Sequence, residues 1–292
     1  RMDRFSLNGY ERQTNPLLAK EDVVSFRQMT SCGTDTSWSI PCMFSSLNRS
    51  SYNHKEGKNM SNALDIINGA GVEVLWLENN SDSKGVADRI SYIDFRSKDV
   101  NPVCDIECRD EGMLNGLKDY IEGQSGEDTL VVMHTMGSHG PAYYKRYPGP
   151  FEVFLPACQT NQLNKCSNEE INNAYDNTIV YTDFVLSRLI NLFKKYPLGK
   201  EIAIFYVSDH GESLGESGIY LHGMPYLIAP NEQKQVAAIM WFNEEFSGSL
   251  DMNMISEKTN WPLSHDNLFH TLLGLMNINT ELYQEKMDII AQ

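Results

Sequence analysis

The chain of 292 residues carries 24 lysines and arginines against 39 aspartates and glutamates, a formal net charge of −15 that argues against a nucleic-acid partner, since phosphate backbones need a basic face. Its 41% of hydrophobic residues is an ordinary globular composition, sized for one large domain or two small ones. A mean hydropathy of −0.39 and the absence of an apolar run near the ~18 residues of a membrane helix exclude a span within this stretch.

Short segments rich in β-branched and apolar residues predict buried strands at 72–77, 130–133, 202–207 and 236–242. Amphipathic patterns predict helices at 62–69, 111–122, 169–196 and 266–276. Strands that alternate with helices predict an α/β fold with a mostly parallel central sheet covered on both faces. The stretch 143–167, dense in Pro, Tyr and Asn, is predicted to be a long surface excursion.

The hydroxyl-rich stretch SCGTDTSWSIPC, at 31–42, is bounded by two cysteines. A helix that begins near Thr36 would present free backbone N–H groups to an anion. A threonine hydroxyl is a poor nucleophile near pH 7 unless a metal ion or a base activates it. The alternative interpretation is that Thr36 is simply the N-cap of this helix.

Polar side chains cluster in the loops that follow three of the predicted strands. Open α/β sheets bind ligands at the carboxyl ends of their strands, so these side chains are expected at one edge of the sheet. Two of the loops hold four of the seven histidines, the pattern of a metal-assisted site. The residues are Asn80 and Lys84 after the first strand, His134 and His139 after the second, and Asp209, His210, Glu212 and His222 after the third.

Each of these residues also has a simpler interpretation. The carboxylate of Asp209 and the imidazole of His210 are a suitable pair of zinc ligands, but adjacent Asp and His are often a turn cap and a surface imidazole. Lys84 is placed to contact a phosphate as a point charge, or is a solvated lysine in a turn. His265 and His270 have no comparable setting, and His270 is predicted to be a packed or capping histidine.

The six cysteines fall in three local pairs, Cys32 with Cys42, Cys104 with Cys108, and Cys158 with Cys166. An even count in close pairs favours disulfides in an oxidising compartment. Zinc ligation and buried free thiols are the alternatives, and the absence of any C-x-x-C weakens the first. Pairing of nearest neighbours is one of several connectivities open to six cysteines.

Five motifs occur in order along the chain: FSLNGYERQTNP, SCGTDTSWSIPCMFS, NNSDSKG, HTMGSHGPAYYKRYP and SDHGESLGESGIYLHG. Together they resemble the periplasmic catalytic domain of phosphoethanolamine-lipid A transferases, the family of the mobile colistin-resistance enzymes. The resemblance covers essentially the whole chain. It implies an alkaline-phosphatase-like, sulfatase-type α/β/α sandwich, three disulfides, and a monomeric catalytic domain over 1–292. It also implies a membrane domain upstream and a place at the periplasmic face of the bacterial inner membrane.

The resemblance further implies an activity. It is the zinc-dependent transfer of phosphoethanolamine from phosphatidylethanolamine to a lipid A phosphate through a covalent phospho-threonine, which gives colistin resistance. By motif, Thr36 is the nucleophile, and Thr36, Asp209 and His210 are zinc ligands. A further glutamate ligand is expected upstream of Arg1, so this chain by itself is expected to bind zinc more weakly than a longer one.

The remaining motif residues are implied around the substrate or a second zinc ion. His139 and His222 are the candidate proton donors, and the substrate-binding group comprises Asn80, Lys84, Glu212 and His134. Asp35 and Trp38 depart from the usual family pattern at the mouth of the site. The alternatives are a transferase for another glycan, a phosphodiesterase or sulfatase that passes its intermediate to water, and a non-catalytic module that binds zinc and lipid headgroups. Only the enzymes need a covalent intermediate on Thr36.

Overall fold

A computed structural model of the chain describes residues 1–57, 59–124, 128–195 and 198–291. The strands are β1 (Val23–Phe26), β2 (Met29–Thr30), β3 (Glu73–Glu78), β4 (Ser91–Asp94), β5 (Thr129–His134), β6 (Ala203–Val207), β7 (Ser213–Leu214), β8 (Tyr220–Leu221), β9 (Ala238–Phe242) and β10 (Leu263–Ser264). The helices are α1 (Thr36–Met43), α2 (His54–Gly57), α3 (Ala63–Gly69), α4 (Leu117–Gly123), α5 (Asn168–Lys195), α6 (Glu244–Ser247), α7 (Met252–Lys258) and α8 (Asp266–Leu275).

The strands form two three-stranded sheets and two short ribbons. In the first sheet, β3 lies between β4 and β5 and pairs with both in parallel. In the second, β9 lies between β1 and β6 and pairs with both in the antiparallel sense. The ribbons are β2 with β10, parallel, and β7 with β8, antiparallel. The edge strands β5 and β6 both line a cavity of about 570 Å³.

The four predicted strands are confirmed as β3, β5, β6 and β9, with ends that agree to within about two residues. The antiparallel direction of β9 has no signature in its own residues. All five of its side chains are buried, and a strand buried on both faces reads as a continuous apolar run in either direction.

Three of the four predicted helices are confirmed as α3, α5 and α8. α3 begins after Asn62, which forms a reciprocal capping box with Asp65. Ser167 and Glu170 make the same exchange of hydrogen bonds at the start of α5. The predicted end of α5 at Tyr196 lies outside the described residues.

The prediction of one helix over 111–122 is wrong. The chain forms a 3-10 turn at Asp110–Leu114 and then starts again as α4. Between them Asn115 is extended and Gly116 adopts φ 74°, a left-handed conformation that glycine takes without steric cost. The amphipathic pattern continues across this break, which explains the error.

The core has an apolar cluster on each face of the parallel sheet, because side chains alternate along a strand. From β3, Leu75 and Leu77 join the cluster that contains residues of α5. Val74 and Trp76 point the other way and join residues of α1, α3 and α8. The helices therefore cover both faces, and the α/β/α layering expected from the sequence is confirmed.

The disulfides connect Cys32 with Cys42, Cys104 with Cys108, and Cys158 with Cys166, so the local pairing is confirmed. The stretch 143–167 is irregular, as predicted, with 3-10 turns at Tyr143–Lys145, Gly149–Phe151 and Leu163–Lys165. It is not wholly a surface feature, because Tyr143 and Tyr147 are buried. None of the helices within the described ranges combines the length and the apolar character that crossing a bilayer requires.

Candidate active site

The candidate nucleophile lies at the start of a helix. Thr36 is the first residue of α1 and is buried. The N-cap is Asp35, whose carboxylate accepts a hydrogen bond of 3.1 Å from the backbone N–H of Trp38. The alternative that Thr36 is itself the cap is therefore wrong, and its hydroxyl is available for another role.

Asp209 and His210 lie in the loop directly after β6. The hydroxyl of Ser39, on α1, donates to the carbonyl oxygen of Asp209, which fastens this loop to the helix that carries Thr36. Gly211 turns the chain where a Cβ would lie 2.0 Å from the carbonyl oxygen of Glu232. Close approach of two backbones is thus the reason for glycine here.

The three residues meet through their polar atoms. The Thr36 hydroxyl donates a hydrogen bond of 2.7 Å to Oδ2 of Asp209, and its oxygen lies 3.3 Å from Nε2 of His210. Nε2 is 3.6 Å from Oδ2 of Asp209. Nδ1 of His210 lies 2.9 Å from the carbonyl oxygen of Gly211, which only accepts, so Nδ1 carries the proton. In the neutral ring, Nε2 then directs its lone pair at the Thr36 oxygen.

This donor set fits a metal ion. Ligand atoms about 2.0–2.2 Å from a tetrahedral metal lie roughly 3.3 Å apart, close to the spacings between Thr36, Asp209 and His210. Burial by itself raises the pKa of Asp209, but His210 and the hydrogen bond from Thr36 lower it to about 2. The carboxylate is therefore ionised at neutral pH, as metal ligation requires.

A second group of potential ligands shares His210. Ligand atoms of His210, Glu212 and His222 all lie within 4.8 Å of one another. Glu212 is buried, and its two carboxylate oxygens accept from the hydroxyl of Tyr143 at 2.7 Å and from Nδ1 of His222 at 2.8 Å. The ring of His222 lies 4.3 Å, between centroids, from that of His210.

The two candidate proton donors differ in their surroundings. Burial lowers the pKa of His222, but the hydrogen bond and charge of Glu212 outweigh it, and the net shift is upward. Burial dominates at His139 and lowers its pKa, although Nδ1 donates to the carbonyl oxygen of Gly140 at 2.7 Å. The carboxylate of Glu212 therefore favours His222 over His139 as the ring that carries the proton.

Asn80 and His134 are both hydrogen-bonded to Glu78, the last residue of β3. Glu78 accepts from the backbone N–H of Asn80 at 2.6 Å and from Nδ1 of His134 at 2.9 Å. The side-chain amide of Asn80 donates to the carbonyl oxygen of Thr135 at 3.0 Å. Nε2 of His134 is buried without a hydrogen-bond partner in the part of the chain that the structure describes.

The structure brings most of the candidate residues to one place. Asn80, His134, His139, Asp209, His210 and Glu212 line the same cavity beside Thr36. Thr36 and His222 are not in this lining but are hydrogen-bonded to Asp209 and Glu212, which are. Lys84 is not in the lining either. Its ammonium lies 3.2 Å from the carboxylate of Asp82, and its backbone adopts φ 53°.

His265 is a residue that the sequence reasoning missed. Its Nδ1 accepts from the backbone N–H of Cys32 at 3.1 Å, and its Nε2 donates to the carbonyl oxygen of Ser208 at 3.0 Å. Burial lowers its pKa to about 4, which keeps the ring neutral and both bonds intact. It joins the loop before Thr36 to the loop that carries Asp209. No local signal marks His265, because it lies far along the chain from either loop.

Two further buried groups hold the site and were also missed. Asp110 accepts from the backbone N–H groups of Met136 and Gly137 at 2.8 and 2.9 Å, which fixes the loop that leads to His139. Tyr143 holds Glu212 from the side opposite His222. Asp110 stood directly before a predicted amphipathic helix and Tyr143 at the start of a predicted surface excursion, so neither had a visible partner.

Comparison with known proteins bears on this arrangement. A sulfatase-family profile matches residues 1–278. The chain is 45% identical over 294 aligned residues to the phosphoethanolamine transferase EptA of Escherichia coli K12, and 43% identical over 298 to the phosphatidylethanolamine transferase Mcr-1 of Escherichia coli, in each case across 99% of this chain. The chain spans about half the length of these curated relatives, 54% of each.

One solved structure is matched over a larger share of its own length than these relatives are. The soluble domain of lipooligosaccharide phosphoethanolamine transferase A from Neisseria meningitidis superposes with a TM-score of 0.93 at 41% identity. The match covers 100% of this chain and 89% of that one.

Proposed function

The chain belongs to the sulfatase family and, within it, to the phosphoethanolamine transferases, and from this premise we propose that it catalyses transfer of phosphoethanolamine from phosphatidylethanolamine to a lipid A phosphate. The transfer passes through a covalent phospho-threonine at Thr36. The chain then corresponds to the periplasmic catalytic domain of an inner-membrane enzyme. A membrane domain and a further glutamate ligand upstream of Arg1 are part of this proposal.

One observation carries the proposal. The Thr36 hydroxyl is buried, hydrogen-bonded to Asp209 at 2.7 Å, and faces the lone pair of His210 at 3.3 Å. A structural threonine needs only one hydrogen-bond partner, whereas a nucleophilic one needs groups that activate its hydroxyl. Its place at the first position of α1 also presents backbone N–H groups to an anionic substrate.

Zinc is the ion proposed for this site, held by Thr36, Asp209 and His210. When bound, it lowers the pKa of the threonine hydroxyl and attracts the non-bridging phosphate oxygens. The second group, which shares His210 with Glu212 and His222, is an alternative position for an ion, and His222 serves as proton donor only when no ion occupies it. A Zn²⁺ site suits this mixture of oxygen and imidazole ligands.

In the first half of the reaction, the Thr36 oxygen forms a bond to phosphorus and the bond from phosphorus to the diacylglycerol oxygen breaks. The hydrogen bond to Asp209 points the hydroxyl proton of Thr36 away from the attacking lone pair, and this proton is released to solvent. The diacylglycerol oxygen takes its proton from His222, whose protonated form the carboxylate of Glu212 stabilises. Asn80 and the start of α1 hold the phosphate oxygens, where charge develops.

In the second half, a lipid A phosphate oxygen forms the new bond to phosphorus and the bond to Thr36 breaks. The Thr36 oxygen takes up a proton from solvent, and His222 takes up the proton that the lipid A phosphate loses, so the site returns to its starting state. The product masks a lipid A phosphate with a cationic amine. That change weakens the attraction of cationic polymyxins such as colistin, because it reduces the negative charge of the surface.

The test is a mass-spectrometric assay of lipid A after expression of the chain within its full-length protein. Lipid A carrying phosphoethanolamine is expected with the parent sequence and not with Thr36→Ala. Free phosphoethanolamine without modified lipid A identifies a hydrolase that passes its intermediate to water. Neither product from the parent sequence supports a binding module and rejects the proposal.

A further inference from the structure

The loop that follows His222 ends in an exposed apolar tip. Backbone N–H groups of Ile228 and Ala229 both donate to the carbonyl oxygen of Pro225 at 3.0 Å, which makes a tight turn. Leu227 is 93% exposed and Ile228 69% exposed, and the two are consecutive at this turn. Neighbouring aliphatic side chains with so little contact to their own protein mark a surface that meets something else.

This tip is attached to the rim of the candidate active site. The backbone N–H of Gly223 donates to the carbonyl oxygen of Thr34 at 2.8 Å, and the Thr34 hydroxyl donates to that of Met224 at 2.6 Å. The hydroxyl of Tyr226 donates to the carbonyl oxygen of Ser31 at 2.9 Å. The loop is thus fastened to the segment that leads directly into Thr36.

Trp38 adds a third exposed apolar group beside the same segment. It lies two residues after Thr36 on α1 and is 39% exposed. Its ring stacks on that of His54 with centroids 5.9 Å apart, which holds the indole in place. Tryptophan and tyrosine side chains have an apolar body and a polar edge, the character that favours the boundary between water and hydrocarbon.

Two cationic side chains lie against the ring of Tyr226, the residue before Leu227. The guanidinium of Arg49 sits 3.3 Å from the centroid of the Tyr226 ring, and the ammonium of Lys234 lies 5.5 Å from it. Two carboxylates also lie nearby, and each accepts a hydrogen bond from a backbone N–H group: Asp35 from Trp38, and Asp266 from Arg49. In a chain of net charge −15, paired cations at this rim favour an anionic or phosphate-bearing surface.

We propose that this lip, defined as Trp38, Tyr226, Leu227 and Ile228 with Arg49 and Lys234, enters the headgroup layer of a phospholipid bilayer. A tip of two aliphatic residues on a tight turn is convex and offers no groove or flat area of the size that a stable protein interface buries. It suits insertion between headgroups, with the cations at phosphate level. The inference rests on the proposed function, because it explains how Thr36 reaches a phosphate that is part of a lipid.

The first experiment measures partition of the chain onto vesicles of phosphatidylethanolamine and phosphatidylglycerol by co-sedimentation. The double variant Leu227→Ser with Ile228→Ser is expected to partition about tenfold more weakly, given the apolar area withdrawn from the bilayer. The matched control is Leu155→Ser with Leu282→Ser, whose side chains are 64% and 45% exposed and lie outside the lip. The control is expected to bind as the parent does. Equal binding by parent and lip variant, or equal loss in the control, overturns the proposal.

The second experiment uses tryptophan fluorescence with brominated phosphatidylglycerol in the vesicles. The brominated acyl chains are expected to quench the tryptophan fluorescence of the parent protein. The variant Trp38→Phe is expected to lose most of that quenching. Trp76 and Trp241 are buried, and Trp261 lies outside the lip. Quenching that persists in Trp38→Phe contradicts the proposed orientation. Because neither measurement depends on turnover, Thr36→Ala should bind as the parent does, and vesicle binding without transfer would reject the proposed function while leaving the lip intact.

Discussion

The hydroxyl of Thr36 donates a hydrogen bond of 2.7 Å to the carboxylate of Asp209, although the two residues are 173 positions apart in the chain. The contact joins the first residue of α1 to the loop after β6. Neither residue therefore identifies the candidate active site without the other. The carboxylate orients the hydroxyl, and the hydroxyl in turn helps keep the carboxylate ionised, since its hydrogen bond lowers the pKa of Asp209.

The first prediction concerns which variants lose their bound zinc. His210→Ala should lose most of the bound zinc, because it removes a ligand atom 3.3 Å from the Thr36 oxygen. His139→Ala should retain the metal, since its Nδ1 is engaged with a backbone carbonyl group. Elemental analysis of the purified variants measures both. Comparable loss in His210→Ala, Glu212→Ala and His222→Ala, with retention in Thr36→Ala, would place the principal ion in the second group instead.

The second prediction concerns pH. Glu212 raises the pKa of His222, so the ring is protonated below that pKa and transfer should decline as pH rises through it. Glu212→Gln removes the charge that causes the upward shift, and the declining limb of the pH profile should move to lower pH. Steady-state rates across the pH range measure the limb. His139→Asn is the control and should leave the declining limb at the same pH as in the parent. If the limb also stays at that pH in Glu212→Gln, His222 is ruled out as the proton donor.

The third prediction tests His265 as a positioning residue. His265→Ala leaves the N–H of Cys32 and the carbonyl of Ser208 unpaired in the interior, which should lower the free energy of unfolding by about 2–4 kcal/mol. Zinc affinity should fall about tenfold, because the segments that carry Thr36 and Asp209 lose one of their connections and keep the bond from Ser39 to Asp209.

His270→Ala is the matched control for this variant. His270 is also buried, on the adjoining helix α8, and its Nδ1 accepts from the backbone N–H of Gln284 at 3.1 Å. Its loss should destabilise the fold by about 1–3 kcal/mol without a change in zinc affinity. Denaturant unfolding and metal titration separate the two effects. Weakened zinc binding in both variants would reduce His265 to a purely structural role.

The fourth prediction concerns the disulfides. Alkylation of the unreduced protein followed by intact-mass measurement should find no free thiol. Paired Cys→Ser changes at Cys32 with Cys42, or at Cys158 with Cys166, should each cost about 2–3 kcal/mol of stability, since the cysteines are 10 and 8 residues apart.

Only the first of these pairs brackets Thr36. Removal of the Cys32–Cys42 bond should therefore reduce transfer, whereas removal of the Cys158–Cys166 bond should leave it near the parent value at a temperature where both variants are folded. An equal reduction in both would attribute the effect to stability alone.

Local patterns explain how much of the fold was predictable. The runs that became β3, β5, β6 and β9 are apolar over a length that suits strands, and the residues after them lie at a sheet edge whatever the strand order. Asp209 and His210 were therefore predictable as site residues. That Thr36 joins them came from resemblance to a family, because no spacing rule connects positions so far apart.

The remainder of the site depends on tertiary register. Glu78 contacts His134 because β3 and β5 pair in parallel with these two residues opposite each other, and nothing in either strand specifies that alignment. Asp110 and His265 act on backbone groups of distant loops, which carry no side-chain signature in the sequence. Residues that follow predicted strands are therefore visible in the sequence pattern, whereas the buried groups that hold those residues in place are not.

The proposed covalent intermediate gives the most direct test of the account. The protein is incubated with phosphatidylethanolamine and zinc without lipid A, quenched in acid and digested, and the peptide containing Thr36 is sequenced by mass spectrometry. Phosphoethanolamine on the Thr36 hydroxyl is expected in the parent, to be lost on addition of lipid A and absent from Thr36→Ala. Modification of Thr34 instead, or transfer to lipid A by Thr36→Ala at the parent rate, would contradict the assignment of Thr36 as the nucleophile.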